Sequence, residues 1–346
     1  MAYDFPSSPS NGTQSLQSGG LYIYANGSWN MSAESLGVLN PYTNSFRYRT
    51  IYTRGYVACG YKNSSPWQNV NKTIHSTDVT TNLGDQMDRA VGYVEGGWSD
   101  YYFYVYGAST GVWATSSWVS SYNMATDAGR SHDSNWDMKY GRVDSSVTMS
   151  PNGACSYITG GNYTNTDKHN YITEVMYAAD TAPANPSCNS SICTGFQMGE
   201  TRAWVLQGGG SAAYMTFSNE TWVNGGISSG TDGHSKILGS KWGYGWGKST
   251  GNTGTTGMTK WSDTTGTSSG VVCYTPDYGG EENMEIGQNW GYQLGNYNGA
   301  QNNNAYKINY ANDTLTAGGS DMQPKGHDGM SSGACGSAAS SVLGGL

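Results

Sequence analysis

The sequence predicts an all-β fold, a single β-propeller of seven blades, on three observations. A strand-like phrase that ends in an aromatic residue and a small polar turn recurs seven times. A second landmark, an aromatic followed shortly by glycine, precedes most of those endings. The landmark missing before the first ending is supplied near the other end of the chain. Self-similarity at one period is the mark of a repeat architecture, in which each unit buries its apolar face against the next.

The phrase is clearest at Leu21-Tyr22-Ile23-Tyr24-Ala25-Asn26-Gly27-Ser28-Trp29 and at Tyr306-Lys307-Ile308-Asn309-Tyr310-Ala311-Asn312-Asp313. Its seven endings are Tyr24, His75, Tyr106, Tyr177, Phe217, Trp261 and Tyr310, at intervals of 51, 31, 71, 40, 44 and 49 residues. The interval through the two termini is 60 residues. The mean is ~49 residues, enough for four short strands and their turns. Six blades are the alternative count, because the 31-residue interval is short and Trp261 is a weak copy.

The glycine landmark occurs at Tyr56 to Gly60, Tyr93 to Gly97, Tyr157 to Gly161, Trp204 to Gly209, Tyr244 to Gly247 and Tyr292 to Gly295. Glycine there lets neighbouring backbones approach closely. No such landmark precedes Tyr24, but Gly333-Ala334-Cys335 repeats Gly153-Ala154-Cys155. The last blade is therefore expected to combine both termini, with Leu21 to Trp29 paired to the strand around Cys335. Residues 1–18 read as an extended arm without a strand pattern, and residues 19–346 as the propeller.

Composition agrees with many short strands. Gly numbers 50 and Tyr 27 in 346 residues, while charged residues make only 12%. An aromatic content of 13% separates this chain from disordered ones. The net charge of -8 argues against nucleic acid as a partner, and no apolar run reaches a membrane span. The opening Met-Ala-Tyr-Asp-Phe-Pro has no signal-peptide character, so synthesis in a cytoplasm is expected. The six cysteines include no CxxC pair and are expected as reduced thiols, although Cys188 and Cys193 could close a small loop.

Two signals carry a family resemblance. Gly-Tyr-Val-x-Gly-Gly, then a variable loop, an aromatic strand and a Thr/Asp turn, resembles the kelch-like propellers. Arg54-Gly55-Tyr56 through Lys72-Thr73-Ile74-His75-Ser76-Thr77-Asp78 to Leu83-Gly84-Asp85, and then Arg89 to Tyr93, is similar to repeats in tail-associated proteins of marine and cyanobacterial phages. The opening Tyr3 to Gly12 is similar to N-terminal segments of phage structural proteins. The later repeats lose the double glycine. The resemblance implies a non-enzymatic virion protein of the tail or an appendage, present in many copies. Its arm would bind other virion proteins, and its ring would serve assembly or adhesion to a host-surface glycan.

Ligand contact is expected at aromatics in or beside loops: Trp67, Trp98, Tyr101, Tyr102, Trp113, Trp118 and Trp136. Flat rings stack on sugars at little entropic cost. The last three of these tryptophans lie in an insertion near residues 111 to 140, where no repeat demands them. Tyr56, Tyr93, Tyr157 and Trp204 occupy the repeat position and are expected as core. No catalytic, metal or cofactor residue is expected. The acidic residues fall mostly in turns (Asp78, Asp180, Glu220, Asp263, Asp313) and read as solvated; Glu281, Glu282 and Glu285 cluster before one strand, and Glu95 lies in another. A glycosidase needs two facing carboxylates. The histidines (His75, His132, His169, His234, His327) are scattered, with His132-Asp133 and Asp232-Gly233-His234 the only pairings a metal would favour. A polysaccharide-degrading enzyme and a purely structural decoration or filament subunit remain the alternatives.

Overall fold

Side-chain alternation along one strand shows how the molecule is built. In Tyr102–Tyr106, Phe103 and Val105 enter one apolar cluster while Tyr104 and Tyr106 enter another. Successive residues of a strand point to opposite faces, so a strand buried on both faces reads as continuously apolar. The same holds for Tyr52–Ala58, where Tyr56 and Ala58 face one cluster and Val57 the other. Among the described residues the hydrophobic core therefore lies between sheets, in four apolar clusters.

The computed structural model describes residues 14–17, 20–25, 28–31, 52–62, 65–92, 94–99, 101–107, 115–142, 145–150, 154–160, 165–178, 193–198, 202–207, 212–224, 232–238, 242–248, 256–262, 268–275, 283–286, 290–297, 301–323 and 334–339. Strands β1 (Gln14–Gln17), β2 (Gly20–Ala25) and β3 (Ser28–Met31) form a three-stranded meander. The first sheet contains β4 (Tyr52–Ala58), β7 (Asn69–Ile74) and β8 (Val79–Asp85), with the small hairpin β5 (Tyr61–Lys62) and β6 (Ser65–Pro66) between them. The second runs β9 (Glu95–Trp98), β10 (Tyr102–Tyr106), β11 (Val119–Asn123), β12 (Ala128–Gly129). The third runs β13 (Ser145–Met149), β14 (Cys155–Gly160), β15 (Asp167–Asn170), β16 (Val175–Ala178). The fourth runs β17 (Cys193–Met198), β18 (Arg202–Gln207), β19 (Ala212–Thr216), β20 (Thr221–Asn224). The fifth runs β21 (Asp232–Leu238), β22 (Trp242–Lys248), β23 (Thr256–Ser262), β24 (Ser268–Thr275). The sixth runs β25 (Asn283–Ile286), β26 (Trp290–Tyr297), β27 (Gln301–Asn309), β28 (Thr314–Ala317). Strand β29 (Ala334–Ala339) joins the first sheet in the order β29-β4-β7-β8. The fold is all-β, and the described residues form six four-stranded antiparallel sheets beside the three-stranded one and the hairpin. The first strands are neighbours in the succession β29, β9, β13, β17, β21, β25, and β25 adjoins β29.

Three expectations change. Strand β29 pairs with β4 (Cys335 opposite Val57, Ser337 opposite Gly55), whereas β2 pairs with β1 and β3. The Leu21 to Trp29 phrase is thus completed locally: its Asn26-Gly27 link is the strongest short hairpin signal, and short links pair strands with their chain neighbours. The phase of the repeat also differs. His75, Phe217 and Tyr310 directly follow third strands, but Tyr106 ends the second strand β10, and Tyr177 lies on the fourth strand β16. Aromatics on these strands look alike in sequence because both faces are covered. Finally, Gln14–Gln17 is a strand within the stretch read as an arm.

A polar device recurs between sheets. In the turn from third to fourth strand, Asp78, Asp127, Glu174, Glu220 and Asp313 all have φ between 52° and 57°. An L-residue there pays a steric cost that glycine avoids. The acidic side chain is used across the junction to the preceding sheet. Tyr56 Oη donates to Asp127 at 2.9 Å, and Lys72, directly opposite Tyr56, pairs with the same carboxylate. Tyr157 Oη donates to Glu220 at 2.8 Å beside its cross-strand partner Lys168. Tyr292 Oη donates to Asp78 at 3.2 Å beside Lys307. Lys260 meets Asp313 at 2.9 Å. In the second sheet Ser121 opposes Tyr104, and Arg130 supplies the cation for Glu174. Of these acids, Asp78, Glu220 and Asp313 were expected as solvated turn residues, but they clamp sheet to sheet; Asp180 and Asp263, expected likewise, lie outside the described residues.

Gly97 on β9 shows how tightly the first strands sit. A Cβ there would lie 2.7 Å from Tyr171 Oη and 3.2 Å from Val147 Cγ1. Gly97→Val is expected to cost about 1–3 kcal/mol by overpacking, read as a lower denaturant midpoint at unchanged slope.

Candidate functional site

Tyr101, Tyr102, Trp118 and Trp136 of the predicted aromatics lie on or beside the second sheet, with Tyr101 and Trp118 at opposite ends of the β10–β11 pair. Asp133 caps a short 3-10 helix, Ser134–Trp136, by accepting from Asn135 N at 2.9 Å. That turn places Trp136 in the core, 2% exposed. Arg130, just before it, lies 4.0 Å over the Tyr102 ring and 4.6 Å over the Trp136 ring. The guanidinium also forms a two-point pair with Glu174, at 2.8 and 3.0 Å. Tyr104 Oη donates to the same carboxylate at 3.1 Å. A planar guanidinium suits this site because it can stack and fork at once. The hydrogen bonds from Arg130 hold the Glu174 carboxyl below its usual range, against the opposing effect of burial.

Two residues on, His132 stacks on Trp118 with ring centroids 3.5 Å apart and planes at 11°. His132 Nε2 and Asp137 Oδ1 are 2.9 Å apart. Trp118 Nε1 donates to Asp88 Oδ2 at 3.1 Å, and Ser120 donates to the other oxygen. Arg89 lies 5.2 Å over the Trp118 ring. Tyr101, at the turn into β10, is 57% exposed.

Beneath this surface lies a buried tyrosine-histidine group. Ser156 Oγ donates to Tyr106 Oη at 2.9 Å, and Tyr106 Oη lies 2.7 Å from His169 Nδ1. Tyr106 Oη also donates to Tyr171 Oη at 3.4 Å. The Tyr104 ring stacks on Tyr171 at 5.0 Å and meets His169 edge-on at 4.6 Å. Burial lowers the His169 pKa to about 3. An unfolded chain binds a proton at His169 below about pH 6.5, and the folded chain refuses it. Stability is therefore expected to fall as pH drops from about 6.5 toward 3, by on the order of a few kcal/mol from this group. Urea melts at pH 7 and 4 test this, and His169→Gln should flatten the difference.

The predicted aromatics divide by environment. Trp98, 5% exposed at the end of β9, packs with Val94 and Phe103 between the first and second sheets. Trp98 and Trp136 are thus core residues, since an odd or even strand position and a capped turn send them inward. Trp67 is half-buried and bridges Val91 through its backbone. Tyr102 is partly covered by Arg130, and Trp118 is covered by His132. Tyr101 presents its ring to solvent, and Trp113 lies outside the described residues. Of the expected core set, Tyr56 and Tyr157 are buried; the side chains of Tyr93 and Trp204 lie outside the described residues.

The sequence reading missed Arg130, Glu174, Asp88 and Arg89 as site residues, and named His132 only beside Asp133 as a pairing a metal would favour. The available signal was the acid ending each turn tetrad, as in Met124-Ala125-Thr126-Asp127 and Tyr171-Ile172-Thr173-Glu174. Among the described residues no group of three or more His, Cys, Asp or Glu is placed to hold a metal ion. His75 stacks on Tyr292 at 4.4 Å, and Cys59 and Cys155 are buried free thiols. Cys188 and His327 lie outside the described residues. No described helix is long and apolar enough to cross a membrane. No protein-family model matches the chain, and no curated protein matches it.

Proposed function

We propose that the six four-stranded sheets are the blades of one closed β-propeller, and that the chain is a non-enzymatic structural protein of a phage tail or appendage. The ring is supported by the succession of first-strand neighbours that returns from β25 to β29, and by the carboxylate clamps between sheets. The particle location rests on the resemblance of the Arg54 to Tyr93 repeat to phage tail-associated proteins. The observation that carries the contact surface is the open ring of Tyr101 next to Tyr102, whose ring is held under Arg130. A rigid surface repeated on one particle gains avidity from weak single contacts to a host-surface glycan.

Tyr101→Ala is expected to weaken retention on purified host envelope glycan by about ten-fold per site, with unchanged melting, because an exposed stacking ring contributes on the order of 1 kcal/mol. Release of soluble sugar from that glycan would instead favour a degrading enzyme. The burial of Trp98 and Trp136 favours a second reading, a purely structural subunit. It predicts that Tyr101→Ala leaves adsorption intact and impairs particle assembly. Labelled imaging of the particle decides where the subunit sits.

A further inference from the structure

We infer that the third sheet binds a shared ordered water through a row of buried hydroxyls on the face it turns to the fourth sheet. Among the described residues, Ser146, Thr148, Thr159 and Thr166 are each at most 2% exposed, and their hydroxyls make no hydrogen bond. The register gathers them. Ser146 stands opposite Thr159, and Thr148 opposite Tyr157. Ile158 stands opposite Asp167, which sets Thr166 beside Thr159. Alternate residues of a strand share a face, so Ser146, Thr148, Tyr157 and Thr159 lie together. Tyr157 fixes which face this is: its Oη donates to Glu220 at 2.8 Å, and its ring packs with Ala213 and Met215. Strand β13 also adjoins β17 of the fourth sheet. Val147 and Ile158, on the opposite face, enter the apolar cluster shared with the second sheet.

Sister sheets fill the same place differently. Tyr56, Tyr104, Tyr157 and Tyr292 each donate to a turn carboxylate of a neighbouring sheet. Two residues further along stand Ala58, Tyr106, Thr159 and Leu294, all buried. Ala58 and Leu294 carry no polar group, and Tyr106 Oη has Ser156 and His169 as neighbours. Thr159 instead brings a hydroxyl with another hydroxyl across from it at Ser146. A buried hydroxyl without a partner gives up its hydration for nothing. Buried water typically makes about three hydrogen bonds to such groups. A hydroxyl both donates and accepts, as water does, so the set suits a neutral guest. Strands β13 and β14 contain no acidic residue, which disfavours a cation there. Thr159 is also smaller than Tyr106 or Leu294, which favours a guest at this place.

Ser146→Ala and Thr159→Val in the full chain test this by urea unfolding. Each is expected to lower the folding constant about ten-fold, because it removes one bond to the water and leaves the water short of a partner. The double change should cost less than the two single costs combined, since both hydroxyls serve one water. A raised folding constant for Thr159→Val overturns the inference, because that gain is what removing a bare hydroxyl would bring. Single costs that combine in full overturn the sharing. A crystal structure of the unmodified chain decides the matter if a variant fails to fold. Density for a water oxygen within about 2.5–3.0 Å of both Ser146 Oγ and Thr159 Oγ1 supports the site. Direct bonds from these hydroxyls to other side chains, or no density beside them, overturns it. A melting temperature that rises only with added Na+ or K+ marks a cation and overturns water as the guest.

Discussion

Cutting the chain after residue 329, so that β29 is lost, is expected to abolish cooperative unfolding of the whole molecule. Strand β29 fills the open edge of β4 over the register from Ala334 opposite Ala58 to Ala338 opposite Arg54. It also adjoins β9 and β25, so its loss strips a neighbour from three sheets at once. The cost is expected to be on the order of 5 kcal/mol or more, comparable to the stability of an ordinary domain. Its small residues, Ala-Cys-Gly-Ser-Ala-Ala, are what a strand crowded between two neighbours can hold. Calorimetry should show one sharp transition replaced by a broad one at lower temperature. Removing residues 1–31 is the matched control, because among the described residues β1 to β3 pair only with one another. That truncation is expected to shift the midpoint by less than about 1 kcal/mol. Equal damage from both truncations would restore a shared terminal sheet and refute the observed pairing.

Arg142→Ala is expected to lose about 3–5 kcal/mol, the cost of leaving a buried charge without its partner. Arg142 and Asp167 are both fully buried, with Nε to Oδ2 at 3.1 Å. The remaining guanidinium nitrogens donate to Gly160 O and Asn165 O, each at 2.7 Å. Lys139 N donates to the other Asp167 oxygen at 3.1 Å. One side chain thus ties the end of β14, the start of β15 and the residue Asn165 between them to the segment before β13. Burial raises the Asp167 carboxyl above its usual value even though Arg142 opposes that shift. The double change Arg142→Met with Asp167→Asn should recover much of the loss, since no charge is then stranded. If the single change costs no more than the double one, the pair contributes little.

Much of the fold was legible because its signals are local. The glycine after each second-strand aromatic and the Asn-Gly and Thr-Asp turns mark strands and their ends. Tyr56 and Tyr157 proved to be core at the position the repeat assigned. The Gly333-Ala334-Cys335 match pointed to a C-terminal strand, but Cys335 lies on the first strand of its sheet and Cys155 on the second of its own. Its partner was misread, because strand pairing across the whole chain leaves no trace in spacing. The phase failed for a related reason: with both faces buried, β10 and β16 offer aromatics as readily as a third strand does. The clamps show the limit most sharply. Asp78, Glu220 and Asp313 were visible as turn residues. Their lysine and tyrosine partners come from the neighbouring sheet, 52 residues away for Lys168 and Glu220 and 229 for Lys307 and Asp78. The loop aromatics were misjudged at Trp98 and Trp136 because exposure depends on which way a capped turn or a strand end faces.

The alternation that sends Phe103 and Val105 to one junction and Tyr104 and Tyr106 to the other has a consequence for how such a chain can change over time. Deleting or inserting one residue within β10 would exchange the two sets, so two cores would be mispacked by a single event. Point substitutions damage one junction; length changes in a second strand damage two. Length variation is therefore tolerable only between strands, as in the long span between Tyr106 and Val119, and that is where new surface can be acquired without rebuilding the interior.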